Sequence, residues 1–523
     1  MKKKTILSLL AGASLLFSMP SCMDLDETVY DKLAADNFGV TETEINALIG
    51  TVNNTLRRYF TGDYYALDDQ AGSMSVKPTR QGGDWYDGGQ YREIYMHDYT
   101  AQTSCIKNAW DIASESIGTC NAALSVVENS TCLTDEKKAQ TLASIRGVRA
   151  FWFYKMVDLW GNVPMVISSE DKELPTCRPR QEVFDWLVSE VEEIAEQCPN
   201  REGNYGQFTK GAAYSLLAKL YLNADAWGVT TSTNNYQKVI EACDKVMAMG
   251  YILEPNWKDN FSLNNENSRE AILAAIYSES DTQLQNQLHY NTLHYKDNIV
   301  FGASFSAWNG LCAQPDYARL FPEDDPRREG SFLMGKQYDP ATGEVLMTAY
   351  DYELDHTLEI TMMPGTEYDG TNWGAVLQQD GYRAFKWPYS SSVVDAMGND
   401  YHIFRLADIY LMKAEALLRG GGSTAEATQL VNDVRTRAYG NSDHNYATVT
   451  LEDVQLERRL EFAWELTSRQ DDIRFGCYTK GMWSSSNCER KADKYLELFP
   501  VSQDAWQSNP NLTQNPGYAA FAQ

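Results

Sequence analysis

The sequence predicts a mainly α protein, built from tetratricopeptide-like helical hairpins that carry a large irregular, loop-rich half with a few short strands. Three observations lead there. Residues 134–164, TDEKKAQTLASIRGVRAFWFYKMVDLWGNVP, form one long helix signal with an unusual aromatic load. Residues 209–224 pair with 236–249, and 403–419 with 423–438, as successive periodic segments joined by polar or glycine-rich turns. Residues 256–400 lose the helical period but keep many aromatic residues, so they must fold onto the helices rather than hang as a linker.

The elements follow in chain order. Lys2, Lys3 and Lys4 precede an apolar run, 6–19, and Ser21 stands directly before Cys22. This is the pattern of an export signal over residues 1–21, with Cys22 as the lipid-attachment residue of a bacterial lipoprotein. Several acyl chains on one residue anchor a protein firmly, where one chain does not. The whole chain carries a net charge of -27, and losing the three lysines of the leader takes the mature chain to -30. Such a surface argues against nucleic acid and anionic lipid as partners, leaving the lipid anchor as the only membrane contact. Besides Cys22 there are nine cysteines without a CxxC pair, an odd number that leaves at least one thiol free.

After an acidic tether, 24–27, a first helix begins at Thr41, with Glu44 at the capping-box position. Residues 61–100 read as loop, crowded with glycine, aspartate and aromatic residues. Helical period returns over 104–128. The long helix follows, capped by Thr134 and stopped by Gly161 and Pro164. Arg146 and Arg149 lie inside its apolar segment, and a buried guanidinium needs carboxylate or carbonyl partners from other helices. Further amphipathic helices are predicted over 180–198 and 451–470, the latter capped by Thr450 with Asp453, and a strand over 271–276.

The motifs FTKGAAYSLLAKLYL, FRLADIYLMKAEALLR, LVNDVRTRAYG, LERRLEFAWELTSRQDDIRFG and the closing LFPVSQDAWQSNPNLTQNPGY, together with RAFWFYKMVDLWGNVP, make the chain resemble SusD/RagB-family lipoproteins over nearly its whole length. The resemblance implies a single domain over 22–523. Its helical layer lies at about 40–60, 104–255 and 400–476, with irregular ligand-facing parts at about 61–103 and 256–400 and a family tail at 477–523. It also implies an outward-facing place on the outer membrane and a SusC-like TonB-dependent transporter as partner. The implied ligands are oligosaccharides or polysaccharides, of a starch type or another, bound and not cleaved. One departure is Trp464-Glu465-Leu466, where many members carry a Gly-Glu-Gly type run.

The ligand residues implied by the resemblance are Trp85 and Trp308, with Tyr290 or Tyr295 as a third aromatic. Tyr86 lies beside Trp85 in the same glycine-rich loop. Pyranose rings present C–H faces that pack on aromatic rings, and glycine-rich neighbours let a ligand approach. Arg80, Asp84 and Asn309 are the candidates for pairing with sugar hydroxyls. Trp373 is a weaker aromatic candidate.

Two rival classes are a surface glycoside hydrolase and a helical-repeat scaffold that binds protein only. Carboxylate pairs mean little among 72 acidic residues, and no HExxH, P-loop, GxSxG or zinc-ligand spacing is present, so no catalytic or metal residue is assigned. Calcium is possible in principle at acidic loops, but no ligand pattern supports it, and no cofactor is expected.

Overall fold

The computed structural model describes residues 39–366, 374–480 and 490–521. The export signal, Cys22, the acidic tether and Trp373 lie outside the described residues. From Gly39 onward the chain forms one compact unit.

Helix α1 (Glu42–Thr55) starts at the expected capping box: Thr41 accepts from the Glu44 backbone N–H, and the Glu44 carboxylate accepts from the Thr41 N–H. Helices α2 (Ser104–Asn129) and α3 (Asp135–Trp160) pack against each other, α3 against α4 (Arg180–Ala195), and α4 against α5 (Lys210–Trp227). Helix α6 (Asn235–Met247) joins α5 to α7 (Leu406–Arg419), which then pairs with α8 (Thr424–Tyr439) and touches α9 (Leu451–Phe462). The Ser423 cap and the Thr450–Asp453 capping box form as predicted. The long helix α3 is buried on all sides from Gly147 to Trp160, and a side chain at Gly147 would strike the Phe208 ring at 2.0 Å.

The tail docks on the end of α3. Asn515 donates to the carbonyls of Trp160 (2.8 Å) and Phe499 (2.7 Å), and the Phe499 N–H donates to Leu159. This satisfies carbonyls that a helix terminus leaves open.

Arg149 is buried as expected. It donates to Glu190 (2.7 Å), to the Asn121 side chain (2.9 Å) and to the Ile167 carbonyl (2.7 Å), while Arg146 holds both oxygens of the same Glu190. Burial pushes the Glu190 carboxyl up, but Arg146 and Arg149 outweigh it and hold the group below its ordinary value. Replacing Arg149 by alanine strands Asn121 and Ile167 and leaves Glu190 with Arg146 alone. A loss of about 3 kcal/mol is expected, the lower end for breaking a buried pair. An unchanged denaturation midpoint would refute it.

Three predictions change. Residues 403–405 belong to a strand, Tyr401–Arg405, which pairs antiparallel with Ala271–Ala275, so α7 starts only at Leu406. The segment 61–100 is not a plain loop: Gly62–Tyr64, Tyr65–Gln70 and Gln90–Met96 are short helices, and the first two are packed into the core through Tyr64, Tyr65 and Leu67. The helix read over 451–470 breaks after Phe462 and resumes at Ser468–Arg474. The break has a backbone cause. Trp464 (φ 69) and Leu466 (φ 56) occupy the left-handed region, which L side chains rarely adopt. Full burial of Trp464, whose indole N–H donates to the Ser331 carbonyl at 2.9 Å, and the grip of Lys386 and Arg405 on Glu465 hold the turn in place.

Candidate functional site

Two loops far apart in sequence meet in the irregular half. The strand Ser75–Val76 pairs with Cys312–Ala313, which brings loop 77–89 against loop 302–311. The first loop is tight: Gly82, Gly83, Gly88 and Gly89 all have positive φ, as do Trp85 (φ 62) and Asp87. The second turns at Asn309 (φ 57). A left-handed tryptophan is unusual and needs fixing by its surroundings.

That fixing is visible. The Trp85 indole N–H donates to the Trp308 carbonyl at 2.6 Å. A side chain at Gly310 would lie 2.6 Å from the Trp85 ring, so only glycine lets the indole rest there. The Lys77 ammonium sits 4.2 Å from the centroids of both Trp85 and Tyr91, a cation–π contact that covers part of Trp85. Burial depresses the Lys77 amine to about 8. Trp85 is therefore half-buried and clamped.

Trp308 stands further out, 41% exposed, with Tyr290 stacked on one face at 4.8 Å and 16°. The Trp308 N–H donates to the Tyr290 carbonyl at 2.7 Å, and the Tyr290 hydroxyl donates to Asp395 at 3.3 Å. Trp85 and Trp308 lie 6.2 Å apart at 53°. Around them Tyr295 donates to Asp84, and burial together with this hydrogen bond raises the Tyr295 hydroxyl above its ordinary value. Tyr86 is exposed on the same loop. Two aromatic platforms at an angle, with a carboxylate and phenols at their rim, suit a flat ligand with an apolar face and a hydroxylated edge.

Arg80 and Asn309 are corrected. Both are fully buried beneath the patch. Arg80 donates to the carbonyls of Asn309 (3.0 Å), Gly310 (2.8 Å) and Asp380 (2.8 Å), and the Asn309 side-chain oxygen accepts from Arg383 at 2.8 Å. They fasten the two loops together and are not surface partners for hydroxyls. A guanidinium with three loop carbonyls is the physical reason, since loop backbone buried away from water must find donors. Sequence reading missed Lys77, Tyr91 and Tyr350; the Tyr350 hydroxyl would be 2.8 Å from a side chain at Gly82. Tyr91 lay in the aromatic run YREIYMHDY, but nothing in its spacing pointed to Trp85. Among the described residues no group of three or more His, Cys, Asp or Glu side chains is arranged to hold a metal ion, and no helix is long and apolar enough to cross a membrane. The described cysteines are free thiols.

Comparison with known proteins bears on the family and the fold. A model of the SusD family matches residues 223–518, and a model described as starch-binding associating with outer membrane matches residues 25–222. Among curated relatives, the starch-binding protein SusD of Bacteroides thetaiotaomicron is 27% identical over 426 residues, 74% of this chain and 74% of that protein. A SusD-like protein of Bacteroides ovatus is 24% identical over 489 residues, 91% and 83% of the two chains. Among solved structures, a laminarin binding SusD-like protein superposes with a TM-score of 0.71 at 22% identity, covering 91% of this chain and all of the other. Surface glycan-binding protein A from Bacteroides thetaiotaomicron gives 0.71 at 18% identity, covering 92% and 100%. At such identities the structural matches speak for the fold.

Proposed function

This chain belongs to the SusD family, and from that premise we propose that it is a non-catalytic, cell-surface glycan-binding lipoprotein that captures oligosaccharides and passes them to a SusC-like TonB-dependent transporter. The observation that carries the binding reading is the clamped Trp85–Trp308–Tyr290 patch, an exposed aromatic surface fixed by hydrogen bonds between two loops. The exposure of Trp308 fits a ligand that lies along the surface. Relatives are named for starch and for laminarin, so both are the first glycans to try.

Native electrophoresis through gels containing starch or laminarin should retard the protein with at least one of them, with no reducing sugar released on incubation. Release of sugar would favour a hydrolase, and unchanged mobility across a panel of polysaccharides would remove the binding reading. The transporter reading rests on the family. Mild-detergent extraction of a tagged form should recover a large outer-membrane barrel, and recovery of the chain alone would count against it. Cys22 is proposed as the anchor: a Cys22→Ala form should leave the membrane fraction, and one that still fractionated with the outer membrane would overturn the assignment.

A further inference from the structure

A second cleft, of about 610 Å³, lies between the outer side of α1, the start of α3 and the turn at 199–207, and shares no lining residue with the aromatic patch. Its charged side chains have carboxylate or guanidinium partners. Arg57 is paired with Asp281, and Lys137 with Glu42 at 2.8 Å. What remains is amide. Asn46, Asn53 and Asn54 share a stripe of α1, Gln140 faces them from α3, and Gln207 comes from the turn. Among the described residues none of these five side-chain amides has a hydrogen-bond partner within the chain, and none is sealed from solvent. Apolar surface alternates with them, through Ile49 and through Ile276, which is 47% exposed.

The floor is open at Gly50. Gly50 sits mid-helix in α1 between the asparagines, and a side chain there would meet nothing within 4 Å. Glycine is the poorest helix former after proline, and here no contact inside the chain requires it. Its absent side chain keeps the floor open to close approach from outside.

We infer that this cleft is a second binding site, independent of the aromatic patch, for a neutral oligosaccharide. Each amide offers a donor and an acceptor side by side, which matches neighbouring hydroxyls that also donate and accept. The isoleucines match the C–H faces of the sugar, and the volume lies within the range of small-ligand clefts. An anionic ligand would have to compete with the carboxylates already on Arg57 and Lys137, and a metal with the guanidinium already on Asp281.

The test is saturation-transfer NMR with maltohexaose and laminarihexaose, applied to the full chain with Trp85→Ala and Trp308→Ala together, so that the patch is disabled. Residual transfer to at least one sugar is expected. Adding Gly50→Leu should lower it at least fivefold, and so should adding Asn53→Ala. The leucine enters open space on a helix it favours, so the melting temperature should stay the same or rise, which separates blockage from misfolding. No residual transfer from either sugar in the double variant, or residual transfer indifferent to both added changes, overturns the second site. Transfer to hexaglycine but to neither sugar also overturns it, in favour of a peptide site. Failure of the patch reading looks different: the double variant would then bind as well as the unaltered chain, whatever Gly50→Leu does.

Discussion

Glu461→Gln should destabilise the protein by about 3 to 5 kcal/mol, the range for removing one partner of a buried ion pair. Glu461 is completely buried and accepts from three guanidinium groups: Arg405 (2.7 Å), Arg437 (2.5 Å) and Arg327 (3.1 Å). It is the hub of a dry network in which Arg327, Arg405, Arg435, Arg437 and Lys386 face Asp325, Glu270, Glu457, Glu461 and Glu465, five charges of each sign. Neutralising the hub leaves one uncompensated positive charge where water cannot reach. With about 2.1 cal/mol/K of unfolding entropy per residue, the expected fall in melting temperature is roughly 3 to 5 °C. The network also sets a pH window. Burial raises the Glu461 carboxyl, but Arg437, Arg405 and Arg327 more than reverse this and bring it down to about 2 from 4.5. The folded value lies below the unfolded one, so this stabilisation is complete above pH 4.5 and fades as pH falls toward 2. In Glu461→Gln that part of the acid sensitivity should disappear. A variant that melts with the parent, or that keeps the parent's full loss of stability between pH 4.5 and 2, would show that the hub is not stabilising.

The second large effect separates the two tryptophans. Trp308→Ala removes an exposed ring stacked on Tyr290 and should weaken binding of the cognate oligosaccharide about five- to thirtyfold, since a stacked ring contributes roughly 1 to 2 kcal/mol and tenfold corresponds to 1.4 kcal/mol. Its stability should change little, by about 1 kcal/mol, the worth of the Tyr290 pair. Trp85→Ala should lower affinity too, but with a stability loss of about 3 kcal/mol, the lower end for a packed tryptophan. The difference has a structural origin: Trp85 bonds the two loops through the Trp308 carbonyl, rests on Gly310 and shields Lys77. Calorimetric titration beside a denaturation curve for each variant checks both halves. Full affinity in Trp308→Ala would take that ring out of the site, and full stability in Trp85→Ala would show that the clamp carries no energy.

The buried charges also bear on how this chain holds a turn that breaks a local rule. Trp464 and Leu466 stand at positive φ, a strain of order 1 to 3 kcal/mol per residue. Burial of the Trp464 ring and its bond to Ser331 offset it, while Glu465 between them is held by Lys386 and Arg405. The strained turn thus sits on the same network as Glu461.

By itself the sequence determined where α1, α3, α8 and α9 begin, because those signals are local: the Thr41–Glu44 and Thr450–Asp453 boxes, the Thr134 and Ser423 caps and the 3.6-residue period act within a few turns of chain. It also determined that Arg149 must find carboxylate or carbonyl partners, since a guanidinium inside an apolar helix is cut off from water. Which carboxylate was decided by packing, as α4 brings Glu190 to it. The same holds for the site. Glycine-rich loops with tryptophan were legible as places where aromatic rings reach the surface, but Arg80 and Asn309 looked like surface donors in sequence and proved to be the buried fastening, a difference that depends on where loops 77–89, 302–311 and 376–383 meet. Strand Tyr401–Arg405 was hidden for a like reason: its partner lies some 130 residues earlier, and a five-residue buried strand that runs straight into a helix carries no period of its own to distinguish it. Contacts of that range are set by the tertiary fold, because nothing local in the chain records which distant backbone will be opposite.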